Sequence, residues 1–342
     1  MMKLCNIQEQ KSGRNAQIDS LRGCMMLMIL CFHLLCRYLQ LYEKQFPTFL
    51  LINRWGVVGY TMFFLISGYF LTGEKKGGLP LFGKRFFKLW PTYVVAITIV
   101  FCATRFYTLP DKVISLQDYL CNVFFINGFI YQPYLDGAHW YLTTLIGCIL
   151  IYSLILLIKK KQLRITGMLI WLIVMTVVYL VQKNVGGLLS IAMNVCGGRY
   201  MPMVVMGSAV AYMQDKETRI LGAVLAVTCL VSVCVMLQPL FAVVLIADTV
   251  AFLLMFYFSF PQFINKIFGW FGEISYSVYL IHSTLGYLLI YHISRAVNGY
   301  HISISLCTLF LMIGIGWLLH LLVEKPMNRL TAKFFKKNTT NV

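Results

Sequence analysis

The stretch IDSLRGCMMLMILCFHLLCRYLQ, residues 18–40, decides the fold. From Leu21 onward it is apolar over a length that matches the hydrocarbon thickness of a bilayer, which takes about twenty residues of helix. Two ionisable residues, His33 and Arg37, interrupt it, and no small-residue cleavage site follows, so it reads as a retained first span and not a signal peptide. Reading outward by the same rule gives ten candidate spans, near 21–40, 55–73, 89–107, 139–158, 165–182, 200–214, 220–237, 239–259, 269–293 and 302–323. The chain of 342 residues is 59% hydrophobic and 12% charged, a composition far from that of soluble domains. The expected fold is therefore all-α: a polytopic membrane helix bundle at 21–323, after an N-terminal segment 1–20 and before a basic tail 324–342.

The net charge of +17 would suit nucleic acid only if it were gathered on one face, and it is not: the cations alternate with the spans. With the N-terminus inside, twenty-one of the twenty-nine Lys and Arg fall on the cytoplasmic side, so an even number of spans with both termini cytoplasmic is expected. Eleven cysteines lie mostly within apolar segments without a C-x-x-C pair, so neither a disulfide framework nor a metal site is indicated. The lipid bilayer is the expected environment, and nucleic acid is not an expected partner.

Ionisable groups inside spans are costly and therefore point to function. Arg22 and His33 are eleven residues apart, which at about 100° per residue is three turns plus roughly 20°, so both lie on one helix face about 16 Å apart along the axis. Arg22 then sits at the membrane surface, with Asp19 three residues before it as cap or ion-pair partner, and His33 near mid-depth. The low dielectric disfavours a charged ring there, leaving an unprotonated nitrogen suited to act as a general base. The plainer reading is a core histidine bonded to a neighbouring helix. In the segment GEISYSVYLIH, residues 272–282, Ser275, Tyr279 and His282 share one face at i, i+4, i+7 and bring a second histidine to similar depth. Asp248 lies mid-span with no cation in its own helix, either protonated or paired elsewhere. The loop 74–88 carries five cations, including Lys84, Arg85 and Lys88, and would suit a ligand with several phosphates.

These residues follow a known pattern. The chain resembles acyltransferase family three, the integral-membrane enzymes that O-acylate bacterial surface sugars. The resemblance is carried by Ile18-Asp19-Ser20-Leu21-Arg22-Gly23 with its Arg-x10-His spacing to His33, by Gly56-Val57 and FFLISGYFL at 63–71, and by KRFFKLWP at 84–91. It continues through His139-Trp140-Tyr141-Leu142, Arg199-Tyr200-Met201-Pro202 leading to Gly207, the 274–282 segment and Glu324-Lys325-Pro326. The resemblance implies transfer of an acyl group, usually acetyl, from cytoplasmic acyl-coenzyme A to a hydroxyl of a saccharide or lipid-linked glycan, in the bacterial plasma membrane. It also implies that Arg22 and His33 are the catalytic pair and that Arg85 and Lys88, with Lys84, hold the coenzyme. His282 and Tyr279 would orient acceptor or base, with Ser275 on the same face. Trp140 and Arg199, near the outer surface, would contact sugar or serve as interfacial anchors.

Two departures stand out. Lys88 replaces a second arginine, losing bidentate phosphate geometry, and no acid follows Trp140, which is similar to a shorter branch that includes enterobacterial common antigen O-acetyltransferases. Acetyl-coenzyme A is the expected donor, with no metal, and His33 is either base or transient acyl carrier. Oligomeric state, a homodimer among the options, is open. A transporter of a lipid-linked sugar is the competing class, and it would require internal repeats, which the sequence lacks. A sensor built on an inactive bundle is a third reading.

Overall fold

The computed structural model describes residues 16–48, 50–74, 77–110, 112–128, 130, 132–185, 187–258 and 260–339. Most of the expected N-terminal segment, with Lys3, Lys11 and Arg14, and the loop residues Lys75 and Lys76 lie outside the described residues. Among those described there are helices and no strands. In order, α1 (Ala16–Cys31) continues through a π-helical stretch, Phe32–Arg37, into α2 (Tyr38–Tyr42) as one rod. Then come α3 (Leu50–Thr72), α4 (Leu79–Phe106), the short α5 (Leu116–Val123), α6 (Trp140–Ile155) entered by a 3-10 turn at Gly137–His139, and α7 (Lys161–Val185). The second half has α8 (Leu188–Val195), α9 (Met201–Gln214), α10 (Arg219–Met236), α11 (Pro239–Leu254), α12 (Gln262–Ile281), α13 (Thr284–Ala296) and α14 (Ile302–Leu319). A second π-helical stretch, His320–Glu324, leads into α15 (Lys325–Thr339).

Seven of these helices are long and apolar enough to cross a membrane, against ten expected from the sequence. The differences have local causes. The expected sixth span is half of a bent pair, α8 and α9, which meet at 47°. Gly197 and Gly198, both with positive φ, make that bend. The eighth, α11, has only 16 residues. The ninth is not continuous: α12 ends at Ile281 and α13 starts at Thr284, so the helix breaks at His282.

The surface pattern fits lipid. In α10, Gly222, Leu225, Cys229, Ser232, Val233 and Met236 turn inward, while Val224, Val227, Val231 and Val235 are exposed at helical spacing. Such a stripe would promote aggregation in water, whereas in hydrocarbon it is the required outer face.

Helix contacts are made close by glycine. A Cβ at Gly23 would overlap the Phe268 carbonyl oxygen, and one at Gly272 would overlap the Asp19 backbone, so α1 and α12 touch almost backbone to backbone. They run in the same direction: Ser20 bonds Asn265 Oδ1 at 2.8 Å, Arg22 reaches Ser275, and His33 meets His282. Likewise Gly68 of α3 and Gly207 of α9 lie against the backbones of Val204 and Leu65. We predict that Gly68→Val, which forces α3 and α9 apart, costs about 1–3 kcal/mol as an overpacked core position. A lowered thermal midpoint in detergent checks this.

Candidate functional site

The parallel contact of α1 with α12 sets the site. His33 is the second residue of the π-helical stretch, so the ideal helical angle from Arg22 has barely drifted by the time the chain reaches it. Both side chains line one cavity of about 1490 Å³. The His33 ring therefore opens onto internal space and does not face lipid. Its Nδ1 pairs with the Tyr287 hydroxyl at 2.7 Å, and its ring meets His282 edge-to-face at 4.8 Å between centroids.

His282 stands behind His33, buried, and does not line the cavity. Its Nδ1 lies 2.8 Å from the Tyr279 carbonyl oxygen. A carbonyl only accepts, so Nδ1 carries a proton. Among the described residues, the ring's buried Nε2 has no hydrogen-bond partner. An unsatisfied buried polar nitrogen costs about 1–3 kcal/mol. It sits directly beside the imidazole that opens to the cavity.

One end of the cavity is a basic mouth, lined by Arg85, Lys88, Lys325 and Arg329, with Glu74 and Glu273 among them. Arg85 and Lys84 both engage Glu74, Lys84 at 3.8 Å. Lys84 itself is not part of the lining, unlike Arg85 and Lys88. Next comes Arg22, Nη2 3.4 Å from Ser275 Oγ and Nη1 3.5 Å from Asp19. Ser275 and Tyr279 line the cavity as the shared face of α12 requires, and the Tyr279 hydroxyl donates to the Ala138 carbonyl at 2.7 Å. Trp140 lines the cavity too, but Arg199 does not. Arg199 lies on a smaller pocket of about 480 Å³ that shares Trp140, with its guanidinium 5.3 Å from the Tyr200 ring centroid.

Several functional candidates escaped the sequence reading. Tyr287, which holds His33, lies beyond the break at His282, where periodicity from α12 no longer applies. Asp136 lies four residues before Trp140, ahead of α6 and outside any helical period that would tie it to His33. Asp136 is fully buried and accepts the Ala138 N–H at 2.8 Å and the Thr284 N–H at 2.7 Å, so it joins the turn before α6 to the start of α13. Burial alone would raise its pKa, but the neighbouring His139, Lys112 and His282 and the Thr284 N–H outweigh this and hold it below the ordinary carboxylate range. On the mouth side, Glu324 accepts from Ser277 Oγ at 2.7 Å and pairs with His320 Nδ1 at 2.9 Å, while His320 Nε2 faces Glu273 at 3.6 Å. Both groups sit in the second π-helical stretch, whose signal is the i, i+4 spacing ahead of Lys325-Pro326. Asp248 is buried, and among the described residues its Oδ2 has no hydrogen-bond partner. Among the described residues no group of three or more His, Cys, Asp or Glu could hold a metal ion.

A family model described as an acyltransferase domain matches residues 15–321, most of the chain. No curated protein and no solved structure matches it.

The Asp136 junction gives a stability test. Because the folded pKa is depressed, its contribution is complete above the unfolded value of about 3.9 and is lost as pH falls below it toward the folded value. Asp136→Asn retains one acceptor oxygen for two buried N–H groups, so it should cost about 1–3 kcal/mol at neutral pH. It should also flatten the fall in thermal midpoint between neutral and acid pH, which melting curves in detergent read directly.

Proposed function

The chain belongs to the acyltransferase family whose domain it matches over residues 15–321, and from that premise we propose that it is a membrane O-acyltransferase. It takes an acyl group, most simply acetyl, from acyl-coenzyme A at the basic mouth and delivers it to a hydroxyl of a cell-surface or lipid-linked saccharide. One observation carries this reading: His33 opens onto the same cavity whose far end is lined by Arg85 and Lys88. The excess of cations on one side of the ten-span reading supports a cytoplasmic mouth and cytoplasmic termini in a bacterial plasma membrane. The parallel course of α1 and α12 agrees with spans of the same sense.

Each group then has a task. Arg85 and Lys88, with Lys84 beside them at Glu74, attract the coenzyme phosphates, which stay at the wet mouth because charge is costly deeper in. The neutral pantetheine arm extends past Arg22, about 16 Å of helix rise, to His33. The acceptor hydroxyl gives its proton to His33 while its oxygen attacks the thioester carbonyl. The carbon–sulfur bond breaks, and the departing sulfur takes the proton back from the imidazolium as the free thiol. In the variant with His33 as carrier, the imidazole attacks the thioester carbonyl and the carbon–sulfur bond breaks to release the coenzyme thiolate; the acceptor hydroxyl then attacks the acyl-imidazole, the carbon–nitrogen bond breaks to restore the free ring, and the hydroxyl proton passes to the thiolate. Tyr287 fixes the ring, His282 backs it, and Tyr279 and Ser275 line the path. Trp140 and Arg199 offer contacts for sugar beyond the reacting unit.

A second reading, export of a lipid-linked sugar, draws on the two interrupted helices at Gly197-Gly198 and His282. Membranes given labelled acetyl-coenzyme A and the cell's own lipid-linked saccharides separate the two: label in glycan supports transfer, whereas saccharide movement without label supports export. His33→Ala should lower labelling by about 10²–10⁴-fold, the usual share of a positioned base, with the protein still in the membrane. Labelling at the wild-type rate by that variant removes His33 from the chemistry.

A further inference from the structure

At the end of the cavity away from the basic mouth, two more cations enter the lining, Arg37 and Lys112. The chemistry assigned above uses neither. Lys112 comes from the segment between α4 and α5 and is partly buried. Its ammonium donates to Thr284 Oγ1 at 2.7 Å. Among the described residues, the carboxylate that acts on it is Asp136, through space and without an ion-pair contact. Asp136 accepts from the Ala138 N–H with one oxygen and from the Thr284 N–H with the other. A lysine ammonium has three donors, and the threonine takes one. Burying an ammonium is costly unless it is paired and hydrogen-bonded, and Lys112 lines the cavity with two donors beyond the one given to Thr284. Arg37, at the end of the π-helical stretch that carries His33, is exposed and uses Nη1 on Gln40 Oε1 at 3.1 Å.

Position ties this pair of cations to His33. Thr284 begins α13, and Tyr287, three residues on, bonds His33 Nδ1. The Lys112 ammonium is thus held about one helical turn, roughly 5 Å of rise, from the tyrosine that fixes the imidazole. The two ends of the cavity are both cationic, with the imidazole between them.

We propose that Lys112 and Arg37 form an anion subsite for the acyl acceptor, so that the hydroxyl presented to His33 belongs to a molecule carrying a carboxylate or phosphate close to that hydroxyl. This rests on the acyl-transfer reading above. The anion is either the carboxylate of an acidic sugar or the diphosphate of a lipid-linked one. Both carry oxygen anions that an ammonium and a guanidinium lining the same cavity can bind.

The test uses the full-length protein in membranes, labelled acetyl-coenzyme A, and lipid-linked saccharides extracted from the source cell and split by anion exchange into anionic and neutral pools. Label should enter the anionic pool. Lys112→Gln and Arg37→Gln should each raise the half-saturating concentration of that pool by about tenfold or more, the scale of a lost charged contact. The half-saturating concentration of acetyl-coenzyme A should not change, and Lys112→Arg should retain most of the acceptor affinity. Reducing the carboxyl groups of the pool, or releasing its saccharides from the lipid diphosphate by mild acid, identifies the source by which treatment abolishes labelling. Should Lys112→Gln not fold, the exposed Arg37→Gln carries the same readout. The subsite is overturned if label enters the neutral pool alone, if both Gln variants keep the wild-type acceptor saturation, or if they shift the coenzyme saturation instead. No label in any pool with the wild-type protein overturns the transfer reading as well.

Discussion

Two imidazole rings 4.8 Å apart inside an apolar slab constrain everything around them. Each polar nitrogen taken out of water needs a partner, and hydrocarbon supplies none. Tyr287 provides one for His33, and the Tyr279 carbonyl provides one for His282. That arrangement requires α1 and α12 to run side by side within backbone contact, which Gly23 and Gly272 allow. It also requires the helix to break at His282, so that α13 can bring Tyr287 back onto His33. Asp136 secures this break from outside the span by accepting the Thr284 N–H at the first residue of α13.

Charge is distributed along the cavity with the opposite logic. Cations gather towards the ends of the cavity, at Arg85, Lys88, Lys325 and Arg329 at one and at Arg37 and Lys112 at the other. Past Arg22, the stretch between them is lined by aromatic, hydroxyl and imidazole groups. A passage of this kind holds anionic headgroups at its ends and admits only neutral, narrow groups to its centre. A thioester on a flexible arm and a sugar hydroxyl are both of that sort, so the electrostatic profile and the proposed reaction agree without any charge crossing the middle of the bilayer.

The fold class was legible because apolar length is a strong signal and the lipid-facing stripes, such as Val224, Val227 and Val231, are uniform. The number of spans was less so. Where a helix is bent at glycine, as between α8 and α9, or broken at a polar residue, as at His282, one-dimensional hydropathy cannot tell a span from two pieces. Within the site, Arg22 and His33 could be placed on one face because they share a helix and the π-helical stretch starts only at Phe32. Ser275 and Tyr279 followed from the same argument on α12. Tyr287, Asp136 and Lys112 could not be found this way, since their proximity to His33 depends on a helix break and on segments outside the spans that return over the bundle. Arg199 shows the converse: a cation at the right depth that the fold places on the smaller neighbouring pocket, linked to the cavity only through Trp140.

The most direct measurement is an experimental structure of the protein in lipid with a non-transferable acetyl-coenzyme A analogue whose thioester sulfur is replaced by methylene. The account predicts phosphate density against Arg85 and Lys88, and the acyl carbonyl within about 3–3.5 Å of the His33 ring, the distance of a group poised to react. Coenzyme bound elsewhere, or an acyl end separated from His33 by a sealed wall, would contradict it.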